Sequence, residues 1–153
     1  SKKQYEDFDI EFEYKLKKDS NSGFYFRVGD VNDPVEKGIE VQIYDPDPKK
    51  AGDQLNDHDA GGIIPGLKPH RNAAKPAGEW NKVEIKSKKG KLQFYLNGTE
   101  VVSTTLWDEN WKQMIAGSKF AKMPDFGTFK SGKIALQDHG DDVWYRNIMI
   151  KEL

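Results

Sequence analysis

The chain has 153 residues, and its 24 Lys plus Arg against 25 Asp plus Glu give a formal net charge of −1. That length supports one hydrophobic core, and the balance offers no general attraction for nucleic acid or an anionic membrane. Cysteine is absent and aromatics make up 12%, which excludes a disulfide scaffold, a thiolate metal site, a cysteine nucleophile and a disordered chain.

The absence of cysteine fits a periplasmic or extracellular bacterial protein, and no apolar run reaches the length of a membrane span. The chain opens at Ser1-Lys2-Lys3, close to strand-like sequence. We therefore expect a natural protein extended at its N-terminus, with any export signal in that part.

In chain order the dominant period is two. From Tyr5 to Leu16 the sequence YEDFDIEFEYKL sets Phe8, Ile10, Phe12, Tyr14 and Leu16 on one side and Asp9, Glu11, Glu13 and Lys15 on the other. That is a half-buried strand. After the turn cluster Asp19 to Gly23, the segments Gly23–Val28 (GFYFRV) and Gly38–Asp45 (GIEVQIYD) read as short strands. A long connection, Pro46 to Glu79, is rich in Gly, Pro, Asp and Asn, and a loop that long in a compact domain usually has a function.

Lys82–Lys86 and Lys91–Leu96 read as a hairpin, and Asn97-Gly98 signals a second one with a type I′ turn into Thr99–Thr105. Asp108 is a candidate N-cap for one helix running to about Ala121. Lys133–Gln137 and Val143–Lys151 close the domain. Many short strands with little helix predict a sandwich or barrel, with residues 1–153 forming a single domain.

Alternation also sorts a second face. Tyr25 and Arg27 oppose Phe24, Phe26 and Val28; Glu40, Gln42 and Tyr44 oppose Val41 and Ile43; Gln137 and His139 oppose Ile134 and Leu136. Lysine is missing from this set, while planar hydrogen-bonding groups stand beside tyrosines. Such surfaces bind sugars, whose hydroxyls pair with amides, carboxylates and guanidinium while C–H faces stack on rings.

Asp138-His139-Gly140 at a strand end is a further candidate for function. His58 and His70 read as surface histidines in the long loop. The acidic residues Asp45, Asp47, Asp53, Asp57 and Asp59 lack EF-hand spacing and read as a solvated loop.

Several segments together resemble the 3-keto-disaccharide hydrolase family. They are Asn21–Arg27 (NSGFYFR) with Gly38–Asp45, Lys75–Asn81 (KPAGEWN), Tyr95–Gly98 (YLNG), Ser118-Lys119-Phe120 with Met123-Pro124 and Phe126-Gly127, Gly132–Gly140 (GKIALQDHG) and Val143–Leu153. Two departures stand out: members begin with a further strand-bearing segment, and HDAGGIIPGLKP at His58–Pro69 differs from the usual pattern.

The resemblance implies a concanavalin A-like β-sandwich, or jelly roll, of two curved antiparallel sheets with one short helix. It further implies a glycoside hydrolase acting on 3-keto-glycosides or related di- and oligosaccharides. A C3 ketone acidifies the C2 proton, so the aglycone leaves C1 by elimination. On that expectation His139 or Glu40 is the base and Arg27 stabilises the enolate; Gln42, Tyr44, Tyr25, Gln137 and Asp138 bind the sugar.

A divalent cation (Ca²⁺ or Mn²⁺), with Asp45 and His139 as conceivable ligands, would serve as an alternative electrophile. A two-carboxylate mechanism pairing Glu40 with Asp45 or Asp138 stays open, although the odd offset of Glu40 and Asp45 puts them on opposite sides of a regular strand. So do a carbohydrate-binding module of the same fold without chemistry and a structural domain of a larger surface protein.

Overall fold

In the computed structural model, which describes all residues 1–153, strand β1 (Phe8–Leu16) follows its alternation residue by residue. Phe8, Ile10, Phe12, Tyr14 and Leu16 are buried and every residue between them is half-exposed. Then follow β2 (Asn21–Val28), the short helix α1 (Pro34–Lys37), β3 (Ile39–Tyr44), β4 (Ile63–Ile64), β5 (Asn81–Lys88), β6 (Lys91–Leu96), β7 (Thr99–Thr105), helix α2 (Glu109–Ala116), β8 (Lys133–Leu136) and β9 (Val143–Glu152). The strands form two antiparallel sheets, in the orders β7-β6-β5-β1-β9 and β4-β3-β2-β8.

One continuous core joins the inner faces of the sheets. Phe12 of β1 stacks on Phe24 of β2 with centroids 5.1 Å apart, and Phe8 meets Phe26 edge-on at 5.8 Å. Burying each such side chain contributes about 1.5–3 kcal/mol, so these cross-sheet pairs fix how the sheets face each other.

Local chemistry sets the connections. Asn97 and Gly98 both have positive φ, 51° and 81°, as the type I′ hairpin requires. Asn97 also accepts from the Lys82 amide at 2.9 Å and donates to the Ala73 carbonyl at 2.9 Å, tying the hairpin to the long connection. Asp108 caps α2 by accepting from the Trp111 amide at 2.8 Å.

The helix stops at Gly117, short of the expected Ala121, because Ser118 turns its hydroxyl back onto the Ile115 carbonyl. Phe120 then leaves the helix axis to stack on Phe126 at 4.0 Å, and both cover Ile64 of β4. Helix α1 was not expected; Asp33 caps it through the Glu36 amide and Pro34 occupies its first turn. No helix is long and apolar enough to cross a membrane.

Candidate functional site

The four-stranded sheet sends Phe24, Phe26, Ile39, Val41 and Ile43 into the core. Its other face carries Tyr25 and Gly23 of β2 directly opposite Glu40 and Gln42 of β3. Gly23 is there for space. A Cβ at that position would stand 2.8 Å from Glu40 Oε1 and 3.3 Å from Gln137 Oε1.

Gln137, just after β8, is held by its own amide donating to the Gly23 carbonyl at 2.8 Å. Its Nε2 donates to the Tyr25 hydroxyl at 3.0 Å, and that hydroxyl lies close enough to Glu40 to lower its pKa. Gln137 Oε1 is buried without a partner. Glu40, Tyr25 and Gln137 thus form a connected polar triplet over a glycine floor, with one acceptor left to satisfy.

Burial raises the Glu40 pKa above the ordinary carboxylate range, and the Tyr25 hydroxyl and the nearby His58, Lys119 and His139 pull it back down. Burial, and then the Glu40 charge, push the Tyr25 hydroxyl well above its usual value, so it serves as a donor.

His139 and Asp138 rim this face from the β8 side. The His139 side chain is 53% exposed, and its Nδ1 lies 3.9 Å from Asp141 Oδ2. Asp138 accepts from the Gly140 amide at 2.9 Å, shaping the turn that presents His139. Gln42 is buried and donates to Asn21 Oδ1 at 3.0 Å. Tyr44 is half-buried further along β3, beside a cleft of about 690 Å³ that also touches Lys18, Asp45, Pro46, Lys50 and Pro76.

Two expectations need correction. Arg27 does not lie on the Glu40 face. The pairing of β2 with β8 shifts register between Tyr25 and Val28, and Arg27 itself takes a left-handed φ of 53°. This bulge reverses the side-chain direction. Arg27 therefore points across to the five-stranded sheet, 2% exposed. It donates from Nη2 to Ser87 Oγ at 2.9 Å and lies 5.0 Å over the Trp107 ring.

Asp45, expected as a possible ligand for a divalent cation, has both oxygens committed to backbone. One accepts from Asp19 N and the other from Ala77 N, each at 2.9 Å. No group of three His, Asp or Glu side chains comes together as a ligand set anywhere in the chain. These residues do not fit the metal.

Two further residues, not among the expected site residues, lie near enough to Glu40 to lower its pKa. Lys119 belongs to the stretch after α2, its ammonium 5.1 Å over the Phe120 ring. His58 is exposed, as expected of a surface histidine, and its Nδ1 lies 2.8 Å from Asp57 Oδ1. The adjacency of Asp57 and His58 was the available signal, but which strand the long loop packs beside was not.

The architecture and face together define a concanavalin A-like β-sandwich with an ionisable patch on its smaller sheet. Residues 1–151 match the family described as the 3-keto-alpha-glucoside-1,2-lyase-like domain, and the chain belongs to it. It is 33% identical to a 3-keto-disaccharide hydrolase of Bacteroides thetaiotaomicron, with 98% of the chain aligned. The chain spans 60% of that relative's length.

A Parabacteroides distasonis crystal structure, provisionally described as a glycosyl hydrolase, superposes with a TM-score of 0.86 at 31% identity, covering 99% of this chain and 72% of the other. The carbohydrate-binding module CBM66 of Bacillus subtilis shares the fold at a TM-score of 0.60 and 12% identity, covering 98% of this chain and 78% of the module.

Proposed function

We propose that the chain cleaves 3-keto-glycosides by elimination, with Glu40 as the base that removes the C2 proton. The observation that carries this reading is the Glu40 carboxylate itself. It is partly buried, its pKa is raised by that burial, and Tyr25, His58, Lys119 and His139 stand near enough to pull it part of the way back. A base with a raised pKa is stronger, and it works best when its pKa approaches the working pH.

The chemistry follows in order. Glu40 takes the proton from C2, and the electron pair moves into the carbonyl to give an enolate at O3. Lys119 takes the place first expected for Arg27, as the cation that stabilises that oxyanion. The enolate collapses, C1=C2 forms, and the C1–O bond to the aglycone breaks. Water then adds at C1 and a proton returns to C2, so the net change is hydrolysis. Gln137 Oε1, lacking a partner in the protein, is suited to accept from a sugar hydroxyl. The names of the Bacteroides and Parabacteroides relatives support a glycosidic substrate.

The test compares aglycone release from a glucoside and from its 3-keto counterpart, in the wild type and in Glu40→Gln. Release from the keto substrate alone, falling about 10²- to 10⁴-fold in the variant, is the expected result. Sugar binding without release from either substrate would replace this reading with a binding module.

A further inference from the structure

The loop from Asn56 to Gly66 is pinned to the Glu40 strand from the side opposite His139. Gln42 donates from its amide to the Gly62 carbonyl at 2.8 Å and accepts from the Gly61 amide at 2.9 Å. Ile64 pairs directly with Glu40. Gly62 lies so tightly on the preceding turn that a Cβ there would come within 2.3 Å of the Asp57 carbonyl oxygen. These contacts carry Asp57 and His58 to the β4 flank of Glu40, whereas Gln137 and His139 arrive on the β8 flank.

Asp57 is clamped before it touches the ring. Its Oδ2 accepts from the Gly66 amide at 2.7 Å and its Oδ1 meets His58 Nδ1 at 2.8 Å. A carboxylate can only accept, so Nδ1 carries the hydrogen and Nε2 is the free, solvent-facing nitrogen of a ring 68% exposed. His139 has no such restraint, its nearest carboxylate being 3.9 Å away. Asp141 is itself anchored by the Asn21 amide at 2.9 Å, but of the two histidines flanking Glu40 only His58 has its carboxylate within hydrogen-bond reach.

Elimination leaves an alkoxide on the aglycone, and an alcohol or sugar departs far more easily with a proton delivered as C1–O breaks. We propose that His58, as an imidazolium with Nδ1–H held by Asp57 and a second proton on Nε2, donates the Nε2 proton, and that Asp57 is its positioning residue, with the C2 proton going to Glu40. Glu40 and His58 thus take separate ends of one elimination: the base removes H⁺ from C2, the acid supplies H⁺ to the leaving oxygen, and the incoming water restores both. This assignment rests on the elimination reading above and deepens it.

Two readouts separate the roles. Exchange of the C2 hydrogen of a 3-keto-glucoside for deuterium in D₂O, followed by NMR, reports the base alone. Aglycone release, compared between a nitrophenyl and an alkyl 3-keto-glucoside, reports the acid, because nitrophenolate needs no proton to leave.

His58→Gln is expected to keep C2 exchange within about threefold of wild type. It loses about 10²- to 10⁴-fold on the alkyl substrate and less than about tenfold on the nitrophenyl one. Asp57→Asn shows the same leaving-group dependence at smaller amplitude. Equal loss on both substrates in His58→Gln, no loss on either, or leaving-group-dependent loss in His139→Gln instead would overturn the assignment. Absent C2 exchange in the wild type, or undiminished exchange in Glu40→Gln, would overturn the elimination reading itself.

Discussion

Replacing Gly23 by alanine separates the site from the fold. The new Cβ would stand 2.8 Å from Glu40 Oε1, and ordinary contact begins near 3.4 Å, so the carboxylate must retreat by about 0.6 Å. The atom that gives way is the far end of a flexible side chain, and φ at Gly23 is not in the left-handed region, so the backbone accepts alanine. Within a strand, losing glycine otherwise stabilises by about 0.5–1 kcal/mol.

Catalysis tolerates such movement poorly. Displacing a reacting group by a fraction of an ångström to one ångström costs roughly 10- to 100-fold in rate. Gly23→Ala is therefore expected to unfold in urea at or above the wild-type midpoint while kcat/KM on a 3-keto-glucoside falls 10- to 100-fold. Unchanged kcat/KM in a folded variant would refute the placement of Glu40 as base. A midpoint well below wild type would refute the claim that only the carboxylate must move.

Arg27→Met tests the correction at the bulge. Arg27 leaves Nε and Nη1 buried without partners and holds Asp7 only at 3.9 Å, so an apolar side chain of similar length on Trp107 is expected to leave urea stability within about 1 kcal/mol of wild type. It should also leave aglycone release intact; a 100-fold loss would restore Arg27 to the mechanism.

Glu40→Gln should raise the melting temperature at neutral pH. The folded-state pKa of Glu40 lies above its ordinary 4.5. Below that ordinary value both states are protonated and the variant gains nothing. As pH rises through the window up to the folded pKa, only the unfolded state ionises, and the wild type loses stability. A melting-temperature difference that shrank with rising pH would contradict the assigned shift.

Side-chain alternation was enough to place most of the candidate residues on one face of the smaller sheet. Tyr25, Glu40, Gln42 and Gln137 share a face because β2 and β3 are regular where those residues sit, so parity along the chain equals direction in space. Arg27 broke the rule because parity survives only while φ stays extended. A left-handed turn at a non-glycine residue leaves no trace in the pattern of apolar and polar side chains.

The helix cap at Asp108 and the Asn97-Gly98 turn were legible because each is complete within four residues. His58 and Lys119 were not, since both ride on long connections. What brings them to Glu40 is packing at β4: Gly61 and Gly62 against Gln42, and Phe120 against Ile64. Asp45 looked like a cation ligand from its charge alone, and only the backbone amides of Asp19 and Ala77 reveal its use.

The place of β1 in the larger sheet has a consequence for biosynthesis. It sits between β5 and β9, so Phe8 pairs with Ser87 on one side and Glu152 on the other. The meander β5-β6-β7 can zip locally as it leaves the ribosome, but β1 emerges long before either partner exists. Pairings this distant in sequence make for slow folding, on the millisecond-to-second scale. Through that interval Phe8, Ile10, Phe12 and Leu16 are exposed in a segment of high strand propensity. The interleaved Asp9, Glu11, Glu13 and Lys15 act as gatekeepers, keeping the waiting strand from joining another nascent chain.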